Sequence, residues 1–179
     1  MFDDRQSKIE TYGAAYDELS AAITRFPRDM WQYRSVVELW TVHEILVHMA
    51  DSEANSFIRL RRLIAEPGQA VLAYDENVWA RQLDYQSQSA ADALQLFRWL
   101  RHNSYVLVKR LPAATWANTI QHPENGLMTM DDWLDVYARH VSDHLAQMAR
   151  IHAEWLSRPP AQADFCPNAA ARLSTPDSR

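Results

Sequence analysis

A chain of 179 residues, 47% of them hydrophobic, holds enough apolar material for a single core, and its length fits one domain. The formal net charge is −5 and the only clustered cations are Arg59, Arg61 and Arg62, so the basic footprint of a nucleic-acid binder is missing. A single cysteine excludes an internal disulfide, MFDDRQSKIE lacks a signal-peptide pattern, and no apolar run reaches membrane-spanning length, so a cytoplasmic protein away from membranes is expected.

Only three glycines occur, and apolar residues recur at three- and four-residue spacing, which predicts an all-α chain with four long helices. The first is expected over residues 4–25, with Ile9, Tyr12, Tyr16, Leu19 and Ile23 on one face before Pro27. The second starts at a capping box, Thr41 with Glu44, and stops before Pro67-Gly68. The third spans 88–111, along Ala90, Ala93, Phe97, Leu100, Ser104 and Leu107, and ends at Pro112. Asn125-Gly126 then marks a turn, and the fourth helix runs from the N-cap Thr129, with Asp132 at its third position, to about residue 157 before Pro159-Pro160. Two long connections, 66–87 and 112–128, join these helices into a four-helix bundle over residues 1–158. Residues 159–179 form a Pro-, Ala- and Ser-rich tail in which Cys166 reads as an incidental thiol.

The chemistry concentrates on the fourth helix. His140 and His144 are four residues apart, so their Cβ atoms lie about 5–6 Å apart on one flank of the apolar stripe, and both imidazoles can reach one ion. A third ligand has to come from another helix. On its helical wheel His48 shares a polar face with Thr41, Glu44, Asp51 and Asn55, which by itself reads as a solvated histidine. Asp51, one turn on, could orient a ligand, accept a proton or bind the metal directly, with a solvated helix carboxylate as the plainer reading. Glu53 falls among Met49, Ala50 and Phe57 on the apolar stripe, where a carboxylate needs a partner; a structural hydrogen bond is its first reading and catalysis its second. Gln147 and Tyr137 flank the histidine pair and could hold an imidazole or a water from behind. His43, His102, His122 and His152 have structural explanations: His122 precedes a proline in a loop, and His152 falls on the core stripe. Trp79 anchors the 66–87 connection to the bundle. No Gly-rich phosphate cradle, G-x-S-x-G elbow or Cys–His nucleophile pattern is present, which removes kinases, P-loop enzymes and serine hydrolases.

HMADSE on the second helix and HVSDHLAQM on the last resemble the DinB/YfiT-like metalloprotein superfamily. WTVHEILVHMADSE, YDENVWA and HPENGLMTMDDWLDVYARHVSDHLAQM extend the resemblance over most of residues 30–150. It implies a four-helix bundle holding a divalent ion on His48, His140 and His144, with water in an open position. Neutral imidazoles suit zinc or nickel, with no choice made by the sequence. The resemblance further implies transfer of a low-molecular-weight thiol, acting as co-substrate, to a small electrophile. Metal-dependent hydrolysis assisted by Asp51 or Glu53 is the alternative, followed by a non-catalytic metal-binding or dimerisation module. A small-molecule substrate and a homodimer accompany the first reading.

Overall fold

The computed structural model describes residues 2–158, and the tail with Cys166 lies outside them. The four long helices are α1 (Phe2–Ile23), α2 (Val42–Ala65), α4 (Ala90–Val108) and α5 (Met130–Ser157), with a short α3 (Glu76–Gln82) between the second and third. Helix α2 packs on α4 and α5, while α1 packs on α5 and α4, closing the bundle.

Local signals start the helices where the sequence places them. The Thr41 side chain accepts the Glu44 N–H at 3.1 Å while Glu44 Oε2 accepts the Thr41 N–H at 2.7 Å. Thr129 and Asp132 repeat the arrangement at 3.1 and 2.8 Å, and Ser89 caps α4 through Asp92 N–H. Each cap satisfies donors that a helix start leaves open and is worth about 1 kcal/mol. These two capping boxes therefore fix the entry of both histidine-bearing helices.

The connections hold more structure than loops. Residues 119–129 form a hairpin of β1 (Thr119–His122) and β2 (Gly126–Thr129), antiparallel with Ile120 opposite Met128. Residues 123–125 form its loop, and Gly126, the first residue of β2, takes φ +70°, a left-handed conformation that glycine adopts without a Cβ penalty. Period-two burial over four residues is too short to read against the helical background, which is why the sequence suggests only a turn. His122 thus sits in β1 rather than a loop, buried, with Nδ1 accepting the backbone N–H groups of Glu124 and Asn125.

The hairpin positions the other connection. Gln121 N–H donates to Gln69 O at 3.0 Å and Val71 N–H to Gln121 O at 2.9 Å, so residues 69–71 run beside β1. Arg59 and Arg62 of α2 hold the same segment through the carbonyls of Leu72 and Ala70. From there the chain turns into α3, where Asn77 Oδ1 accepts the Trp40 indole N–H at 3.0 Å. Trp79, half-buried against the core, packs on the Tyr74 ring with centroids 4.5 Å apart and anchors this segment as expected.

Two apolar clusters fill the bundle. One gathers Leu19, Trp31, Trp40, Leu46, Met49, Phe97 and Met148; the other gathers Tyr12, Leu60, Ile120, Trp133, Leu134 and Tyr137. Between helices lies a charge pair that the sequence only half disclosed. Glu53 is fully buried, Arg101 is 1% exposed, and their Oε2 and Nη2 atoms are 2.6 Å apart. The Tyr12 hydroxyl donates to Glu53 Oε1 at 2.5 Å, and Arg101 Nη1 donates to the Tyr137 carbonyl at 2.9 Å. Burial pushes the Glu53 carboxyl up, with Arg101 and Tyr12 opposing. His152 is half-buried on α5, edge-on to Phe26, rather than fully in the core.

Candidate metal centre

Two capping boxes and the α2–α5 packing bring His48, His140 and His144 together. One ligand atom from each lies within 4.8 Å of the others, making a group able to hold a metal ion. The ring centroids of His48 are 5.6 Å from His140 and 5.0 Å from His144. Among the described residues no fourth histidine, cysteine or carboxylate joins the group.

His48 is fully buried, which corrects the solvated reading of its helical wheel. The wheel records which residues share a face of α2. It cannot tell that Trp40, α3 and α5 cover that face. Trp40 packs against His48 with ring centroids 4.6 Å apart and planes tilted by 57°, and Tyr137 lies edge-on to His140 at 6.2 Å, so the histidines occupy the junction of the two apolar clusters. His140 and His144 keep partial exposure, which leaves the group reachable from solvent.

The hydrogen bonds behind the group set the ring tautomer. Glu38 accepts from Gln147 Nε2 at 3.0 Å, so Gln147 Oε1 faces His144 Nδ1 at 2.9 Å and receives its N–H. His144 Nε2 then carries a lone pair, directed at His140 Nε2 3.1 Å away, a separation that two metal–nitrogen bonds of about 2.0–2.1 Å can bridge. Arg150 fixes Glu38 from the far side through a 2.6 Å bond. Gln147 hydrogen-bonds the His144 imidazole, and Glu38 behind it is a contribution that sequence spacing could not disclose.

The donor set fits a cation. Both ring nitrogens of His48 and Nδ1 of His140 are buried without a hydrogen-bond partner, an uncommon state for polar atoms. Burial, and then the neighbouring His144, hold His48 down to about 3; burial likewise lowers His140 well below its ordinary range and also lowers His144. Three imidazoles that stay neutral at pH 7 present lone pairs rather than protons, as metal ligands must.

Around this group the connections contribute a polar wall. Glu76 Oε1, at the start of α3, lies 4.0 Å from His48 Nε2, and burial raises its carboxyl. Ser52 Oγ is 3.4 Å from His140 Nε2. The Tyr137 hydroxyl accepts from Arg59 Nη1 at 3.0 Å. Asp51 and Glu53 are engaged elsewhere: Asp51 accepts the Tyr85 hydroxyl at 2.5 Å, and Glu53 belongs to the Arg101 pair. Glu76 escaped sequence reasoning because it sits in a connection with no periodicity; YDENVWA was its only signal.

Residues 11–148 match the model of the DinB superfamily. The chain belongs to that superfamily. A relative from Oceanobacillus iheyensis is 32% identical over 63% of this chain and 64% of its own length, and one from Halalkalibacterium halodurans is 30% identical over 61% and 63%. The chain therefore spans a little under two thirds of these curated relatives, both named "Putative metal-dependent hydrolase". In fold it is similar to the solved YfiT of Bacillus subtilis, with a TM-score of 0.79 over 87% of this chain and 89% of that one at 22% identity. That structure is described as having an unusual four-helix bundle topology, and this DinB member shares the bundle with its long connections. Among the described residues no helix is long and apolar enough to cross a membrane.

Proposed function

We propose that this DinB protein is a metal-dependent hydrolase of small acyl compounds, with the ion held by His48, His140 and His144. One observation carries the reading: three neutral imidazoles converge with no fourth protein ligand among the described residues, and a carboxylate, Glu76, stands 4.0 Å from His48. A structural zinc site would be closed by four protein ligands, so this arrangement favours catalysis over a purely structural ion. The names of the relatives point the same way.

When bound, a divalent ion there supplies Lewis acidity and brings the pKa of water toward neutrality. The chain does the rest. Gln147 and Glu38 orient His144, and Trp40 excludes water from behind His48. Glu76 Oε1 accepts a hydrogen bond from the attacking water and takes its proton. The water oxygen bonds to the carbonyl carbon, the bond from that carbon to the leaving oxygen or nitrogen breaks, and Glu76 returns the proton to the leaving atom. Asp51 and Glu53 take no part, being committed to Tyr85 and Arg101.

The test is metal content by plasma mass spectrometry together with turnover of ester and amide panels, with and without an added low-molecular-weight thiol. About one ion per chain and thiol-independent hydrolysis are expected. Turnover that requires the thiol, with thiol incorporated in the product, would replace hydrolysis by the thiol transfer that the sequence resemblance implies.

A further inference from the structure

The C-terminal half of α2 carries a cation whose charge is unmatched. None of the ion pairs among the described residues includes Arg59. Its guanidinium donates from Nη1 to the Tyr137 hydroxyl at 3.0 Å and from Nη2 to the Leu72 carbonyl at 3.0 Å, both neutral acceptors. Nε is buried without a hydrogen-bond partner. Two bonds latch the connection onto the bundle, yet an arginine has five N–H groups and a full charge, so donors and charge are left over.

The leftover charge borders a cleft. With Asn55, Ile58 and Arg62 of α2, and with Val71 and Leu72 of the connection, Arg59 lines a cavity of about 160 Å³. At roughly 30 Å³ per water, that is room for about five waters, or for a carboxylate and a short carbon chain. Arg62 is spent on the Ala70 carbonyl at 2.8 Å and on Glu66 at 3.9 Å. Ile58 is 54% and Leu72 86% exposed, so both side chains stand free to cover an alkyl group.

The cleft opens along the face of α2 that holds the metal centre. His48, Ser52, Asn55 and Arg59 follow one another at steps of four, three and four residues, the spacing of a single helical face. Ser52 Oγ is 3.4 Å from His140 Nε2, and Arg59 stands two turns further on, about 10 Å along the axis. Tyr137 spans the interval, with its hydroxyl on Arg59 and its ring edge-on to His140 at 6.2 Å.

We infer that Arg59 makes this cleft a carboxylate-binding site, and that the small acyl compounds handled at the histidines carry a carboxylate at the end remote from the ion. The substrate class rests on the hydrolytic reading of the centre, whereas carboxylate binding rests on the cleft alone. A guanidinium offers a planar fork that fits the two oxygens of a carboxylate, and Ile58, Val71 and Leu72 suit the alkyl part behind it. A neutral compound of the same shape would leave the charge unmatched and bind more weakly.

The experiment is calorimetric titration of zinc-loaded and zinc-free protein with 4-methylpentanoate and its neutral isostere 4-methylpentanamide. Wild type, Arg59→Gln and Leu72→Glu are compared, with zinc affinity and thermal melting measured for each. Wild type is expected to bind the carboxylate about ten- to hundredfold more tightly than the amide, with or without zinc, and Arg59→Gln to lose that preference. Leu72→Glu keeps Arg59 and the backbone carbonyl at position 72, and it changes an exposed side chain. Its tethered carboxylate is expected to occupy the guanidinium and weaken 4-methylpentanoate by about tenfold or more, with melting and zinc affinity unchanged. Equal affinity for acid and amide, or no binding of the acid by wild type, overturns the site. Wild-type affinity in either variant does the same: if only Arg59→Gln loses binding and also melts lower, Arg59 is a latch for the connection. Binding that requires zinc and survives both variants places the carboxylate on the ion and overturns the cleft. If both variants lose the carboxylate, yet no ester or amide carrying one is turned over, the cleft stands and the hydrolytic reading falls.

Discussion

Replacing Arg101 by methionine keeps an unbranched apolar stem, though a shorter one, and removes the charge from a place where water cannot substitute. Glu53 Oε2 loses a cation at 2.6 Å, the Tyr137 carbonyl loses a donor at 2.9 Å, and the Tyr12 ring loses a guanidinium at 4.0 Å. Glu53 is 0% exposed and keeps only the Tyr12 hydroxyl. Leaving one member of a buried pair uncompensated costs about 3–5 kcal/mol, which for a domain of this size lowers the melting temperature by about 6–20 °C. The loss is expected to shrink as the pH is lowered. With Arg101 gone the folded Glu53 pKa lies far above its unfolded value, so the neutral acid is favoured below the unfolded pKa and stability falls as pH rises through the folded one. The triple variant Tyr12→Phe, Glu53→Leu, Arg101→Met removes the ion pair and the hydroxyl bonded to it and is expected to recover most of the loss. Urea denaturation of the three proteins at pH 7 and pH 5 measures all of this. A cost below about 1 kcal/mol for Arg101→Met, or a triple variant no more stable than the single one, would refute the assignment of this pair as a buried, mutually dependent unit.

Three further outcomes follow from the centre. His48→Leu removes two unpartnered ring nitrogens and is expected to melt at or above the wild-type temperature in metal-free protein while losing tight metal binding; clear destabilisation of the metal-free variant would show that His48 has a structural partner. Gln147→Ala frees His144 Nδ1 from its acceptor and is expected to weaken metal affinity about 10–100-fold by competitive chelator titration, with unchanged far-ultraviolet helicity; wild-type affinity would remove the Glu38–Gln147–His144 chain from the site. Metal-free protein is expected to be acid-labile, because the three histidines have folded pKa values below the unfolded value of about 6.5, with His48 near 3, so the unfolded chain binds more protons. Their stabilising contribution is complete above about pH 6.5 and is lost as the pH falls from there toward 3, by up to about 1.4 kcal/mol per group per unit; a urea midpoint that does not move between pH 7 and pH 5 would contradict it.

The sequence by itself determined the four helices, the caps of the two histidine-bearing ones and the H-x-x-x-H pair, because each is set by residues within a turn or two of one another. Thr41 with Glu44, Thr129 with Asp132, and the flank shared by His140, His144 and Gln147 need no distant partner to be read. Membership of the DinB superfamily was legible in the same segments. Tertiary structure decided everything that joins segments far apart in the chain. His48 reads as solvated on its own helix and is buried only because Trp40 and α5 close over it. Arg101 shows an ordinary surface charge in the sequence and becomes the partner of Glu53 through the packing of α2 on α4. Glu76 comes within 4.0 Å of His48 in a connection whose residues 69–71 pair with a hairpin some fifty residues later, a contact no local pattern discloses. Periodicity records which face a residue occupies, whereas what covers that face depends on contacts between elements, and these exist only once the chain has folded.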